Sequence, residues 1–196
     1  MNRRSEASPS WSFFRSIYHY DDSPLNFRVF RGERPTMATF SEPDHPLLSE
    51  YRVVASYPVH WGDQDAFGHV NNTIYLRWFE SARIFYFDSI GVSDHYEATK
   101  IGPIMASIRC DYRFPVKYPD TIQVGARVSK IGRSSMTMDH AIVSLRHGLI
   151  AAEGTSTIVV YDYTKAKSTP VPDAIRSAIA DREGRSFDPP APATSG

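Results

Sequence analysis

Two aspartates two positions apart, Asp63 and Asp65, open a polar run that leads through His69, Asn71 and Asn72 into an apolar segment: "WGDQDAFGHVNNTIYLRWFESAR", positions 61 to 83. A carboxylate placed a few residues ahead of a helix can attack an activated acyl carbonyl, or take a proton from a water that does so. The helix end supplies the other half of that chemistry. Its first backbone N–H groups lack internal partners and sit at the positive end of the dipole, where they polarise a carbonyl and hold the oxyanion that forms. Asn71, Asn72 and Thr73 are residue types that mark such a start. On residue types alone both aspartates qualify, and each equally suits a plain turn. His69 could position a water or a carbonyl oxygen through its imidazole, or simply hydrogen-bond within the loop. Any role for Asn72 in chemistry would fall to its backbone amide.

Other groups are less specific. Glu80 and Arg83, three apart on one helix, read as an ion pair across a turn, with a part in closing the site as the alternative. Arg133, Ser134 and Ser135 form a tight turn suited to a phosphate, with a plain hairpin turn as the alternative, and Lys117 and Arg113 make a weaker case of the same kind. Cys110 lies within a strand pattern and reads as a small buried hydrophobe. The histidines and the single cysteine show no metal-ligand spacing, and no G-x-S-x-G element is present, so neither a metal site nor a serine nucleophile is expected.

These residues need elements to hold them. Residues 51–60, "YRVVASYPVH", predict a first strand. Residues 73–90 place Tyr75, Trp78, Phe79, Ala82, Phe85 and Tyr86 at helical spacing, with Gly91 as the stop, and so little polar surface remains that the helix must be enclosed. Four strands follow, at about 103–114, 121–131, 134–146 and 149–162, separated by "PVKYPD", "GR" and "HG". The two-residue breaks predict antiparallel hairpins presenting one face to the helix. A short amphipathic helix over "STPVPDAIRSAIADREG", with Pro172 in its first turn and Gly184 beyond its end, precedes a Pro-rich tail.

The chain of 196 residues suits one domain with tails. We expect an N-terminal extension over 1–48, largely disordered, a main domain over 49–165, and a helix and tail over 166–196. Lysine plus arginine equal aspartate plus glutamate at 22 each, which argues against nucleic acid or an anionic membrane as partner. No stretch has the length and apolarity of a membrane span. One cysteine fits a reducing compartment. The cytoplasm is the expected location. Arg3, Arg4, Arg15 and their serines suggest a mitochondrial address as the alternative, against which stand Glu6, Asp21 and Asp22.

The stretch "DQDAFGHVNNTIYLRWFESAR" resembles the hotdog-fold acyl-CoA thioesterases, in the branch around 4-hydroxybenzoyl-CoA thioesterase. That family shows an Asp-x-Asp turn, a Gly-His-Val-Asn-Asn run and a helix bearing Tyr and "F-E-x-A-R". "FPVKYPDTIQV" and "IGRSS" are similar to its later strand junctions, and the resemblance covers about residues 51 to 163. It implies an α+β hotdog fold, a curved antiparallel sheet wrapped around a long central helix. It implies hydrolysis of acyl-CoA to free acid and CoA without a cofactor, Asp65 acting as nucleophile or general base and the amide near Asn72 polarising the carbonyl, with His69 secondary. Asn71, Tyr75 and Glu80 along the helix, with Arg133, Ser134 and Ser135, are the expected substrate contacts. A homodimer or homotetramer is implied, with acyl pockets at the subunit interface. Phe67, His69 and the two asparagines match only some branches, which leaves the acyl group open. The alternatives are a hydratase or dehydratase on the same fold, a carrier-protein thioester as substrate, and a non-catalytic acyl-binding or scaffold protein.

Overall fold

A computed structural model describes residues 39–41 and 45–187. The expectation for residues 1–48 therefore falls mostly outside the described residues, as does the tail beyond 187. In chain order the elements are β1 (Thr39–Ser41), a 3-10 turn (Pro46–Leu48), β2 (Val53–Pro58), a second 3-10 turn (Trp61–Asp63), α1 (Asn72–Ser89), α2 (Val92–Thr99), β3 (Ile101–Tyr112), β4 (Thr121–Ile131), β5 (Ser135–Ser144), β6 (Leu149–Asp162), β7 (Lys167–Ser168) and α3 (Asp173–Glu183). Among the described residues no helix is long and apolar enough to cross a membrane.

The strands form one antiparallel sheet in the order β1-β2-β4-β5-β6-β3, with β7 pairing β6. β4, β5 and β6 pair through their short turns, as the two-residue breaks predict. β3, although first of the four in sequence, crosses to the far edge and pairs β6. That edge place explains why a strand accommodates Pro103, whose missing N–H would break a ladder in the interior. Register shifts at Met105/Ser107, Val128/Lys130 and Ile142/Val143 are bulges, and bulges bend strands and raise their twist. The sheet curls around α1.

α1 starts one residue earlier than its spacing predicts, because Asn71 serves as the cap: its side-chain oxygen accepts from the Thr73 amide at 3.0 Å. Tyr75, Trp78, Phe79, Ala82, Tyr86 and Phe87 are buried along it, as an enclosed helix requires. Gly91, at φ 74°, begins α2, an element with only Val92 buried and hence no apolar period to read. Phe79 is fully buried and stacks on His140 of β5, ring centroids 4.9 Å apart. It also lies over Gly154, where a Cβ would come within 2.5 Å of the Phe79 ring and 2.4 Å of the Arg109 carbonyl oxygen. Only glycine lets helix and sheet approach so closely there.

α3 closes the core. Ile175 and Ile179 are buried in the main cluster, and the Glu183 carboxylate accepts from the Tyr86 hydroxyl at 2.6 Å and the Val128 amide at 2.7 Å. Its cap, Gly184, has the left-handed conformation expected there. On the outer face of the sheet, Leu48 of the first 3-10 turn packs with Val54, Ala141 and Val143.

His140 carries a pH dependence. Burial pushes its imidazole down to about 3, the Arg83 charge adding to the effect. Unfolded, the group titrates near 6.5, so between about 6.5 and about 3 the unfolded chain binds a proton that the folded chain does not. The associated stability is complete above about 6.5 and declines as the pH falls, by up to about 1.4 kcal/mol per pH unit from this group. Urea unfolding at pH 7 and pH 5 is expected to show the loss, and His140→Leu to flatten it. Equal slopes for both proteins would mean that the folded ring is open to protons.

Candidate active site

The loop between β2 and α1 is held by its own hydrogen bonds. The Asp63 carboxylate accepts from the His60 amide at 2.8 Å, and the Asp63 carbonyl accepts from the Asn71 amide at 2.8 Å. Asp65 donates its amide to the His69 carbonyl at 2.8 Å and accepts from the Gly68 amide at 3.0 Å, closing a turn in which Gly68 has φ 73°. That is the backbone angle glycine tolerates and other residues resist. Segment 113–120 braces the loop from outside: Val70 donates to the Val116 carbonyl at 2.9 Å, and the Tyr118 amide to Gln64 Oε1 at 3.1 Å.

Within this frame Asp65 is partly buried. Its Oδ1 accepts from the Phe67 amide at 2.8 Å, an Asx turn, while Oδ2 has no protein hydrogen-bond partner among the described residues. At the helix start the Thr73 amide and hydroxyl both donate to Asn71 Oδ1, and the Ile74 amide to the Asn71 carbonyl at 3.0 Å. The Asn72 N–H is left without a protein acceptor among the described residues. One anchored carboxylate with an unengaged oxygen and one unengaged helix amide thus lie at the two ends of a single braced loop. A carboxylate can attack or deprotonate, and a helix-end amide can hold a developing oxyanion.

The other singled-out residues are dispersed. The His69 carbonyl belongs to the Asp65 turn, and its ring is half-buried. Tyr75 is buried, its hydroxyl accepting from the Val116 amide at 3.1 Å and its ring edge-on to Tyr112 at 5.1 Å. Burial raises its pKa. Glu80 sits eight residues into α1, about 12 Å along the axis at ~1.5 Å per residue, and meets Arg83 at 3.6 Å. Arg83 is buried, with one guanidinium nitrogen unpaired among the described residues. Arg133, Ser134 and Ser135 follow the far end of β4, whereas the loop leans on residues just before its near end. Within one chain the two are separated by roughly 35 Å of strand at ~3.3 Å per residue. The turn's carbonyls are engaged internally, that of Arg133 by the Val171 amide and that of Ser134 by the Val160 amide. Among the described residues no group of three or more His, Cys, Asp or Glu side chains is placed to hold a metal ion.

Tyr112 is the residue that sequence reading passed over. Its hydroxyl donates to the Asn72 carbonyl at 3.0 Å, fixing the peptide next to the unengaged amide. Nothing in the alternation of β3 distinguishes it, because the contact spans forty positions. Tyr112→Phe is expected to lower turnover about tenfold, with substrate affinity and unfolding midpoint little changed, as for loss of one orienting hydrogen bond. Unchanged turnover would show that the helix start needs no such brace.

A curled antiparallel sheet around one enclosed helix, with a carboxylate-bearing loop at the helix start, defines the class of hotdog acyl-thioester enzymes. The chain belongs to the thioesterase-like superfamily, whose family model matches residues 59–179. It is similar to a thioesterase from Thermus thermophilus solved with coenzyme A and zinc, at 34% identity and TM-score 0.62, covering 69% of this chain and 97% of that one. It is 25% identical to the long-chain acyl-CoA thioesterase FadM of Escherichia coli K12, over 59% of this chain and 87% of that protein. It is also 30% identical over 82 residues to the uncharacterised protein YsmA of Bacillus subtilis 168, a match spanning 42% of this chain and about half, 54%, of that relative. Thioester hydrolysis is the activity that this membership supports.

Proposed function

We propose that the protein hydrolyses acyl-CoA thioesters to free acid and CoA, with Asp65 as the catalytic carboxylate. The observation that carries the reading is the pairing of the unengaged Asp65 Oδ2 with the unengaged Asn72 N–H across one braced loop. The thioester carbonyl oxygen accepts from the Asn72 amide, and the dipole of α1 holds the charge that develops there. Asp65 Oδ2 then attacks the carbonyl carbon, expelling the CoA thiolate and leaving an anhydride for water to open, or it takes the proton from a water that attacks instead. Both routes begin at the same oxygen and end in the same products. Asp63, whose carboxylate caps the turn before it, supports the loop. His69 lies within the Asp65 turn and serves as a secondary group. Asn71 shapes the helix start, and Tyr75 acts through the Val116 segment.

Coenzyme A as the carrier is supported by the Thermus thermophilus structure, solved with it, and by the name of the Escherichia coli relative. A homodimer through β3 extends the proposal. Among the described residues this edge strand of twelve residues pairs on one side only and exposes Ile104 and Met105, a surface suited to a second copy. The proposal is tested by release of free thiol from short, long and aromatic acyl-CoAs. Turnover of at least one is expected, and cleavage of none would leave acyl binding without catalysis as the function.

A further inference from the structure

We infer that Lys117 and Arg146 form the seat for the phosphates of the CoA nucleotide, with Tyr118 offering its ring to the adenine. This rests on the CoA thioester reading above. Lys117 lies between two residues stitched to the candidate site: Val116, whose carbonyl accepts from Val70 and whose amide donates to Tyr75, and Tyr118, whose amide donates to Gln64. The lysine is therefore held at the rim of the loop, exposed, and its ammonium has no ion-pair partner among the described residues. The β5–β6 turn brings a second cation to the same rim, for the Arg146 guanidinium donates to the Pro119 carbonyl at 3.0 Å, two positions beyond Lys117.

One carboxylate, that of Asp120, stands at this corner, and two cations exceed its charge. Asp120 accepts from the Thr121 and Arg146 amides and the Ser144 hydroxyl, Asp63 from the His60 amide, and Glu153 from Arg113. Tyr118, next to Lys117 in the chain and one residue before the Pro119 carbonyl that holds Arg146, is 48% exposed. Two cations and an exposed aromatic ring held on one segment match a nucleotide, which carries phosphates and a stacking base, better than an acidic protein surface. The net charge of zero makes the local pair matter, since no overall field gathers anions.

The test compares one acyl group presented as its CoA ester and as its N-acetylcysteamine thioester, which lacks phosphates and base. For Lys117→Ala and Arg146→Gln the KM for the CoA ester is expected to rise about tenfold each, the factor that ~1.4 kcal/mol of lost charge-assisted contact gives. The KM for the short thioester is expected to change by less than about twofold, added salt to shrink the gap, and Lys117→Arg to restore it. Equal rises for both thioesters, or no rise for either, would overturn the assignment, as would an effect confined to a carrier-protein thioester. Calorimetric titration with coenzyme A separates this inference from the hydrolytic one. Binding weakened by Lys117→Ala in a protein that cleaves nothing keeps the nucleotide seat and rejects hydrolysis. Absent binding, or binding that Lys117→Ala leaves unchanged, rejects the seat.

Discussion

Asp65→Asn is expected to lower kcat/KM for any acyl-CoA the protein cleaves by roughly a thousandfold, the scale on which positioned carboxylates contribute to acyl transfer. The fold gives reason to expect a clean result. The amide that replaces the carboxylate keeps an oxygen to accept from Phe67, so the Asx turn survives, and the Asp65 backbone bonds to His69 and Gly68 do not involve the side chain. Only the unengaged oxygen changes its chemistry, from a base and nucleophile to a neutral amide group. Thiol release with matched circular dichroism and unfolding curves checks this. Asp63→Asn is the control, since its oxygen caps a turn, and a loss at Asp63 as deep as that at Asp65 would assign the chemistry to the wrong carboxylate. Activity retained in Asp65→Asn would sink the mechanism outright.

The largest expected effect on stability belongs to Phe79→Ala, at about 3–5 kcal/mol. The ring is fully buried, lies against His140, and fills the space that the missing Cβ of Gly154 leaves open. Collapse into the void is hindered because a β-sheet backbone lies on one side and an enclosed helix on the other. A domain with about 5–15 kcal/mol of total stability would become marginal. Urea unfolding should move to a lower midpoint with an unchanged slope. A loss below about 1 kcal/mol would mean that the helix is not seated on β6 as described.

How much of this could be read from the sequence varied with the range of the interactions. α1 was legible because its apolar spacing, the Asn71 cap and Gly91 are local. The β4–β6 hairpins were legible because "GR" and "HG" are short. The place of β3 was not, since strand order depends on pairing across the whole domain and no local pattern sends Ile101–Tyr112 past three strands to the edge beside β6. α2 was missed because one buried valine makes no period. At the site, the motif pointed to Asp65 and Asn72, but which oxygen and which amide stay unengaged depends on bonds that only coordinates show. Tyr112 and Tyr86 illustrate the gap most sharply: each donates its hydroxyl to an acceptor far away in the chain, Asn72 and Glu183. Arg133 shows the converse, a turn that suits a phosphate by composition yet stands at the opposite end of β4 from the loop.

The dense bonding of the β2–α1 loop has a thermal consequence. Amides 63, 65, 67, 68, 70 and 71 each donate to an acceptor in the loop or in its brace, so the carboxylate and the helix amide are arranged when the chain folds, not when a substrate arrives. Little reorganisation is left for binding to drive. Warming such a loop erodes its arrangement only when the surrounding sheet gives way, so on the proposed mechanism inactivation by heat is expected to coincide with global melting instead of preceding it.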